Sequence, residues 1–304
     1  MWHDFRRNAL AAMLVPALIG TVRAQPPDRE ADDGASRPRD PMWTLASGTR
    51  VTLFPSGDLF PAYVADPQRP ANAMLVRVQQ RRGIPDTSVR RTALSAGGRF
   101  GFLRIDGRGP NRRSWQVSFE AGIDALFGTT HSDEALGWDG NYGITATTAS
   151  DGPWSVKLAF LHLSAHLGDE YEERMQRARI DYTREEVAVG IAWRPSSRWR
   201  AYAETARAYS MLDAAQAPWR VQHGLEYETG RFWGGRFAAY GATDCGAMQE
   251  RRWRIDRAIE GGLVTRLAGR TYRLLMQYHD GRPPVAEFFH VSESALTWGL
   301  RIDP

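Results

Sequence analysis

The sequence predicts an all-β fold: a transmembrane antiparallel up-and-down β-barrel of about 12 strands. Three observations predict it. Apolar side chains recur at every second position in many separate segments. Short and long connections alternate between those segments. Beyond the N-terminal end, no apolar run is long enough for a spanning helix, so only a closed barrel could satisfy the backbone inside lipid.

In chain order, Arg6 and Arg7 precede an apolar run from Ala9 to Val22, and Val22-Arg23-Ala24 places small or β-branched residues where a signal peptidase reads. Residues 1–24 are expected to be a signal peptide cleaved after Ala24. The run holds Pro16 and Gly20 and falls short of the roughly 20 residues a spanning helix needs. Residues 25–50, rich in Pro, Asp, Arg, Gly and Ser, read as a disordered linker. Residues 51–71 carry Pro55, Pro61, Pro67 and Pro70 and read as an irregular lead-in or plug. Residues 72–304 are the expected barrel.

The clearest strand is 115–127. Trp115, Val117, Phe119, Ala121, Ile123, Ala125 and Phe127 share one face, opposed by Gln116, Ser118, Glu120, Gly122 and Asp124, with Leu126 the exception. The same alternation marks 187–193, 219–227, 253–263, 272–278 and 296–302. Weaker runs lie at 72–81, 98–106, 139–148, 154–166, 198–209 and 232–243. Turns are expected at 107–113, 149–153, 194–198, 230–231 and 267–269. Longer loops are expected at 82–97, 128–138, 167–183, 210–218, 244–251 and 281–293. Tight turns on one side and long loops on the other are the habit of outer-membrane barrels. A secreted soluble β-protein shares the strand signals but not the loop rhythm.

Composition excludes some functions. The chain has 304 residues, 42% hydrophobic, and 11 Trp. Its mean hydropathy of −0.46 is no obstacle, because barrel strands are apolar at alternate positions only. Its net charge is +4, from 39 basic and 35 acidic residues. The arginines sit singly on polar faces rather than in a stripe, so no nucleic acid partner is expected. The single Cys245 can form no internal disulfide, and no metal-ligand spacing surrounds it.

The one dense polar cluster runs Leu161-His162-Leu163-Ser164-Ala165-His166-Leu167-Gly168-Asp169-Glu170-Tyr171, at the expected outer end of a strand. His162 and Ser164 share a face there, and a His that accepts a Ser proton is the core of nucleophilic hydrolysis. The candidate catalytic set is His162, Ser164 and, on the facing strand or its loop, Asp181. His166, Asp169, Glu170 and Tyr171 form a candidate polar rim. Carrying the parity of Trp154, Val156, Leu158 and Phe160 forward points His162 and Ser164 outward; a bulge near Phe160 would turn them into the lumen. His162 and His166 are about 13 Å apart on a strand, too far to share an ion. No metal and no cofactor is expected.

The His-x-Ser spacing resembles the dyad of outer-membrane phospholipase A and of the lipid A deacylases. It departs from the phospholipase in having Ala165-His166 after the Ser and no Asn close downstream. Several segments together resemble a bacterial family called domain of unknown function 1207. They are Leu53-Phe54-Pro55-Ser56, Ala65-Asp66-Pro67, Arg69-Pro70, Gly97-Gly98-Arg99-Phe100-Gly101, Ser164 to Tyr171 and Tyr182-Thr183-Arg184-Glu185-Glu186. The resemblance implies a barrel-like envelope protein and assigns no catalytic role.

The expected function is an outer-membrane barrel, structural or a narrow or plugged pore. The alternatives are a lipid hydrolase using the His-x-Ser pair, or a secreted soluble β-protein. The partners implied are outer-membrane lipid and, during biogenesis, the barrel-assembly machinery.

Overall fold

A computed structural model describes residues 42–303 except 69–70, 82, 86, 88, 109–111 and 130–133. The expected signal peptide, most of the expected linker and Pro304 lie outside the described residues.

The strands are β1 (Met42–Thr44), β2 (Arg50–Leu53), β3 (Asn72–Arg81), β4 (Arg90–Asp106), β5 (Arg113–Gly128), β6 (Ala135–Ser150) and β7 (Trp154–Leu167). One helix, α1 (Asp169–Met175), separates these from β8 (Thr183–Ser196), β9 (Trp199–Met211), β10 (Trp219–Glu228), β11 (Phe237–Met248), β12 (Ile255–Leu267), β13 (Arg270–Gly281) and β14 (Glu293–Asp303). Each strand from β3 to β14 pairs antiparallel with its sequence neighbours, and β14 closes back onto β3. The result is the closed 12-strand up-and-down barrel that the alternation predicts. Closure leaves no free sheet edge in the wall, which is what lipid demands of a backbone.

The outward face is apolar. Trp115, Ile123, Ile144, Val156, Leu158, Phe160, Val189, Ile191, Leu225, Ile259, Leu274, Met276 and Leu300 are all exposed. A continuous band of such residues around the wall far exceeds the scattered apolar side chains of a soluble surface. Trp154, Trp193, Trp199 and Tyr227 gather where the strands meet the short turns, and Trp138, Tyr142, Tyr209 and Trp219 where they meet the long loops. Two aromatic girdles flanking an apolar band mark a membrane barrel.

The inward face is charged and internally paired. Arg301 reaches both oxygens of Glu260, at 2.8 and 3.0 Å. Arg184 pairs with Glu186 at 2.8 Å, Arg200 with Glu226 at 3.2 Å, and Arg77 and Arg91 share Glu293 at 2.8 and 2.7 Å. Lys157 pairs with Glu204, and Arg99 with Glu120.

Several boundaries differ from the sequence reading, each for a local reason. The strand expected at 98–106 begins at Arg90: residues 90–97 carry a single large apolar side chain, Leu94, so their alternation is faint, and within the expected span β4 carries a register shift between Gly101 and Leu103. The shift swaps the faces of the residues on either side and hides the alternation. The strand expected at 232–243 is Phe237–Met248, and the supposed turn at 230–231 is a longer 229–236 connection. There Trp233, Gly234 and Gly235 take left-handed φ of 48, 67 and 81°. Arg254, within the alternating run expected at 253–263, is exposed and precedes β12, after Arg252 and Trp253 at φ 55 and 59°. Residues 42–50, expected as the end of a linker, form most of a hairpin instead. β2 pairs with the lower half of β4, through Leu53 opposite Leu103 and Arg50 opposite Asp106. β3 covers only the upper half of β4, so the remaining backbone groups have a partner in β2.

Glu260 is fully buried with Arg301 as its partner, so removing the carboxylate strands a guanidinium inside the wall. The Glu260→Leu variant is expected to lose about 3 kcal/mol of stability. Heat-modifiable gel migration should show the folded band collapsing at a clearly lower temperature than wild type.

Candidate functional site

Two regions could carry function, and both follow from strand parity. The first is the lumen. Segment 54–68 leaves β2 and runs between inward side chains of strands on opposite sides of the barrel. It has little regular structure, so its carbonyls need outside donors. Arg104 donates to the Gly57 carbonyl at 2.9 Å, and Arg99 to that of Phe60 at 2.6 Å. Arg200 donates to those of Pro61 and Ala62 at 2.7 and 3.1 Å, and Arg301 to that of Val64 at 2.9 Å. Gln277 donates to the Ala65 carbonyl at 3.1 Å. In return the Val64 amide donates to Glu226 at 2.8 Å, and the Tyr63 hydroxyl to Glu204 at 2.7 Å. Tyr63 stacks flat on Tyr202, with ring centroids 3.8 Å apart, and Phe60 packs beside them.

Above this segment the long loops fold inward. Ile84, Leu126, Leu136, Leu167, Tyr171, Val285 and Phe288 form one buried apolar cluster, and Ala165, Tyr182, Ala286 and Phe289 another. This accounts for Leu126, the inward exception in β5: it faces apolar loop residues and not the charged lumen. Tyr171, expected in a polar rim, is fully buried here, with its hydroxyl donating to the Pro85 carbonyl at 2.9 Å. Burial pushes that hydroxyl above its ordinary pKa. Between segment 54–68 and this cap lies a cavity of about 200 Å³, lined among others by Tyr63, Asp66, Lys157, Glu204, Asp244 and Arg282.

The second region is the outer wall. β7 keeps unbroken register with β6 and β8, with no bulge near Phe160. His162, Ser164 and His166 therefore share the lipid-facing side with Phe160. Ser164 Oγ meets Nε2 of His166 at 3.2 Å, rather than His162. His162 Nδ1 instead lies 3.5 Å from Glu185 Oε1, its cross-strand partner on β8. Both imidazoles are braced by aromatic rings of β6. Trp138 stacks on His166 with centroids 4.1 Å apart, and Tyr142 on His162 with centroids 4.4 Å apart. Asp181 is exposed at φ 52°, and no hydrogen bond or ion pair among the described residues joins it to either histidine.

The remaining rim residues belong to α1. Asp169 pairs with the exposed Arg179, and Glu170 accepts the Ala135 amide at 3.2 Å. Glu185, Trp138 and Tyr142 went unnoticed in the sequence. For the two aromatics the signal was the tight turn at 151–153: counting back from Ala149 opposite Ser155 sets Tyr142 against His162 and Trp138 against His166. Among the described residues, no group of His, Cys, Asp or Glu side chains is arranged to hold a metal ion.

A family model described as a protein of unknown function (DUF1207) matches residues 21–302. The chain belongs to this family. No curated relative matches it. Among solved structures, this DUF1207 chain is similar to outer membrane phospholipase A from Escherichia coli, with a TM-score of 0.50 at 10% identity, covering 77% of this chain and 92% of that one. An active-site mutant of the same Escherichia coli enzyme gives a TM-score of 0.54 at 9% identity, covering 81% and 93%. The Salmonella typhi outer membrane phospholipase dimer with bound calcium gives 0.52 at 10% identity, covering 80% and 94%. At such identities the likeness establishes the fold: this DUF1207 protein has the architecture of outer membrane barrels.

Gly168 ties the outer wall to the cap. A side chain there would place its Cβ 1.8 Å from the Ala135 carbonyl oxygen, while the Gly168 amide donates to Leu136 at 3.1 Å. The Gly168→Val variant must push β6 and β7 apart at that end, at a cost of roughly 1–3 kcal/mol. Amide exchange should speed up at Leu136 and Tyr171 while the opposite ends of the same strands stay protected.

Proposed function

We propose that this protein resides in the outer membrane as a closed barrel, one that spans the lipid without offering a diffusion path through its lumen. The observation that carries this reading is the occupation of the lumen by segment 54–68, whose backbone is held by Arg99, Arg200, Arg301 and Glu226. The folded loops at the outer end add a second layer. Twelve strands also enclose a small bore to begin with, because barrel diameter grows with strand number. Outer-membrane lipid is the partner of the apolar band, and a chain of this kind needs barrel-assembly machinery to reach that state. Proteoliposomes carrying the folded protein should not swell in an isosmotic sugar solution that a general porin admits. Swelling at a porin's rate overturns the reading.

A second reading has its own observation. Ser164 Oγ meets His166 Nε2 on the lipid-facing wall, near the end where an outer-leaflet ester would lie. That pair supports hydrolysis of lipid acyl esters. Ser164 Oγ would attack the acyl carbonyl carbon while its proton passes to His166 Nε2, and the alcohol would leave with that proton. Water would then attack the acyl-serine, giving its proton to Nε2 and from there to Oγ, and the fatty acid would be released. His162, held near Glu185 and stacked on Tyr142, stands on the other side of the serine and is the alternative base.

Purified wild type should release fatty acid from phospholipid or lipopolysaccharide. Ser164→Ala should lower the rate by at least a hundredfold and His166→Phe by a similar factor, with His162→Phe milder. Equal release from wild type and Ser164→Ala, or none from either, removes this reading and leaves the closed barrel standing.

A further inference from the structure

The two ends of the barrel differ in charge. At the long-loop end, exposed acids and bases stand together, as where Arg179 meets Asp169 and Glu172. At the short-turn end, three neighbouring connections between β8 and β13 are rich in arginine. Arg198 lies in the turn between β8 and β9, Arg231 and Arg236 in the connection between β10 and β11, and Arg266 and Arg270 beside the turn between β12 and β13. All five are exposed. Glu228 pairs with Arg266 at 2.9 Å. Among the described residues, no acid pairs with the other four.

Local contacts gather these cations. A Cβ at Gly230 would lie 3.4 Å from Nη2 of Arg198, so that guanidinium rests against the 229–236 connection. The Arg266–Glu228 pair ties the foot of β12 to that of β10, and the Thr265 hydroxyl donates to the Arg236 carbonyl at 2.8 Å. Arg231 donates to the Gly235 carbonyl at 3.2 Å across the tip of the connection.

The same tip carries Trp233, which is 72% exposed. Phe232 and Phe237 are cross-strand partners, and Phe237 has the lipid-facing parity of β11, since Ala238, Tyr240 and Ala242 are the buried, inward residues. Trp233 packs edge-on against both rings, with centroids 5.5 and 5.8 Å away, which sets it on the lipid-facing side of the foot of the wall. Trp199 and Tyr227, with rings 4.5 Å apart, stand on that face at the foot of the adjoining strands β9 and β10. Tryptophan and tyrosine settle at the level of lipid headgroups, and a guanidinium matches the oxygens of a phosphate. A zwitterionic headgroup balances its phosphate with its own ammonium, whereas a net anionic one leaves that charge for the protein.

We propose that the foot of β8 to β13 binds an anionic phospholipid of the periplasmic leaflet. Its phosphate lies among Arg198, Arg231 and Arg236, and its acyl chains lie along the wall beside Trp233 and Phe237. This inference rests on the outer-membrane reading, which turns the short connections toward the periplasm. The site selects for headgroup charge, and its hold weakens as ionic strength rises.

The test mixes folded, detergent-solubilised protein with equimolar phosphatidylglycerol and phosphatidylethanolamine of the same acyl chains, and counts retained lipid by native mass spectrometry. Heat-modifiable migration confirms that each variant is folded. Wild type should retain phosphatidylglycerol at least fivefold over phosphatidylethanolamine. Arg198→Gln/Arg231→Gln/Arg236→Gln should bring the two within about twofold of each other, and the matching triple lysine variant should keep most of the preference. Arg198→Gln/Arg270→Gln removes two side chains that make no hydrogen bond among the described residues. It should lower the preference partway, and it reports on the site even if the triple glutamine variant does not fold. Arg112→Gln/Arg113→Gln, in the β4–β5 connection across the barrel, should leave the preference unchanged. Equal retention of the two lipids by wild type, or a preference that the Arg198 variants do not move, overturns the site and leaves the barrel in its membrane. A protein that stays folded and soluble without detergent overturns the outer-membrane reading and the site together.

Discussion

The structure depends on how the charges of the inner wall are satisfied. A closed barrel in lipid cannot send its inward arginines and glutamates to bulk solvent on the outer side, and leaving a buried charge unpaired costs several kcal/mol. Much of the lumenal charge is paired across neighbouring strands, as in Arg301 with Glu260 and Arg200 with Glu226. Those pairs do not exhaust the donors of a guanidinium, which offers five N–H groups. Part of the surplus is taken up by the backbone carbonyls of Gly57, Phe60, Pro61, Ala62 and Val64. A proline-rich segment suits the role: it presents carbonyls without forming ladder bonds of its own. The charged wall and the irregular segment thus complete each other.

That dependence organises the rest of the molecule. Toward the outer end several inward residues are apolar, as at Leu126, Leu136 and Leu167, and there the loops replace segment 54–68 as the filling. On the opposite surface the same strands present a mostly apolar face, crossed by single polar residues such as Arg207, His223 and Arg257. A denser polar stretch lies on β7, where His162, Ser164 and His166 take the outward positions. Polar side chains facing lipid are costly unless they find partners. Here the two imidazoles lie against aromatic rings, Ser164 bonds to His166, and Glu185 stands beside His162. These contacts leave His162 Nδ1 buried without a hydrogen-bond partner, 3.5 Å from Glu185 Oε1, so the cluster is not fully satisfied on its own.

Much of the barrel was legible in the sequence, because period-2 alternation is a direct imprint of a wall with two different solvents. It failed where a local feature changes parity or breaks a strand without a proline. The register shift near Gly101 in β4 and the left-handed residues 233–235 are such features. The β1–β2 hairpin was hidden because its pairing is with the lower half of β4, far along the chain, and only three residues of β1 take part. At the outer wall, the facing of β7 could not be read from β7 alone, since Leu161, Leu163 and Ala165 alternate as well as Phe160, His162 and Ser164. Cross-strand register decides it. Register also shows that the acid beside His162 is Glu185 and not Asp181.

The central claim is that residues 60–65 are part of the packed interior of the barrel, held by its inward charges. Amide hydrogen exchange at Val64 in the folded, detergent-solubilised protein tests it most directly, since that N–H donates to Glu226 inside the lumen. Protection comparable to the amides of β9 and β10 is expected, falling sharply in a Glu226→Ala variant that keeps the barrel intact. Exchange at Val64 as fast as in an unstructured peptide, with the strands still protected, would contradict it.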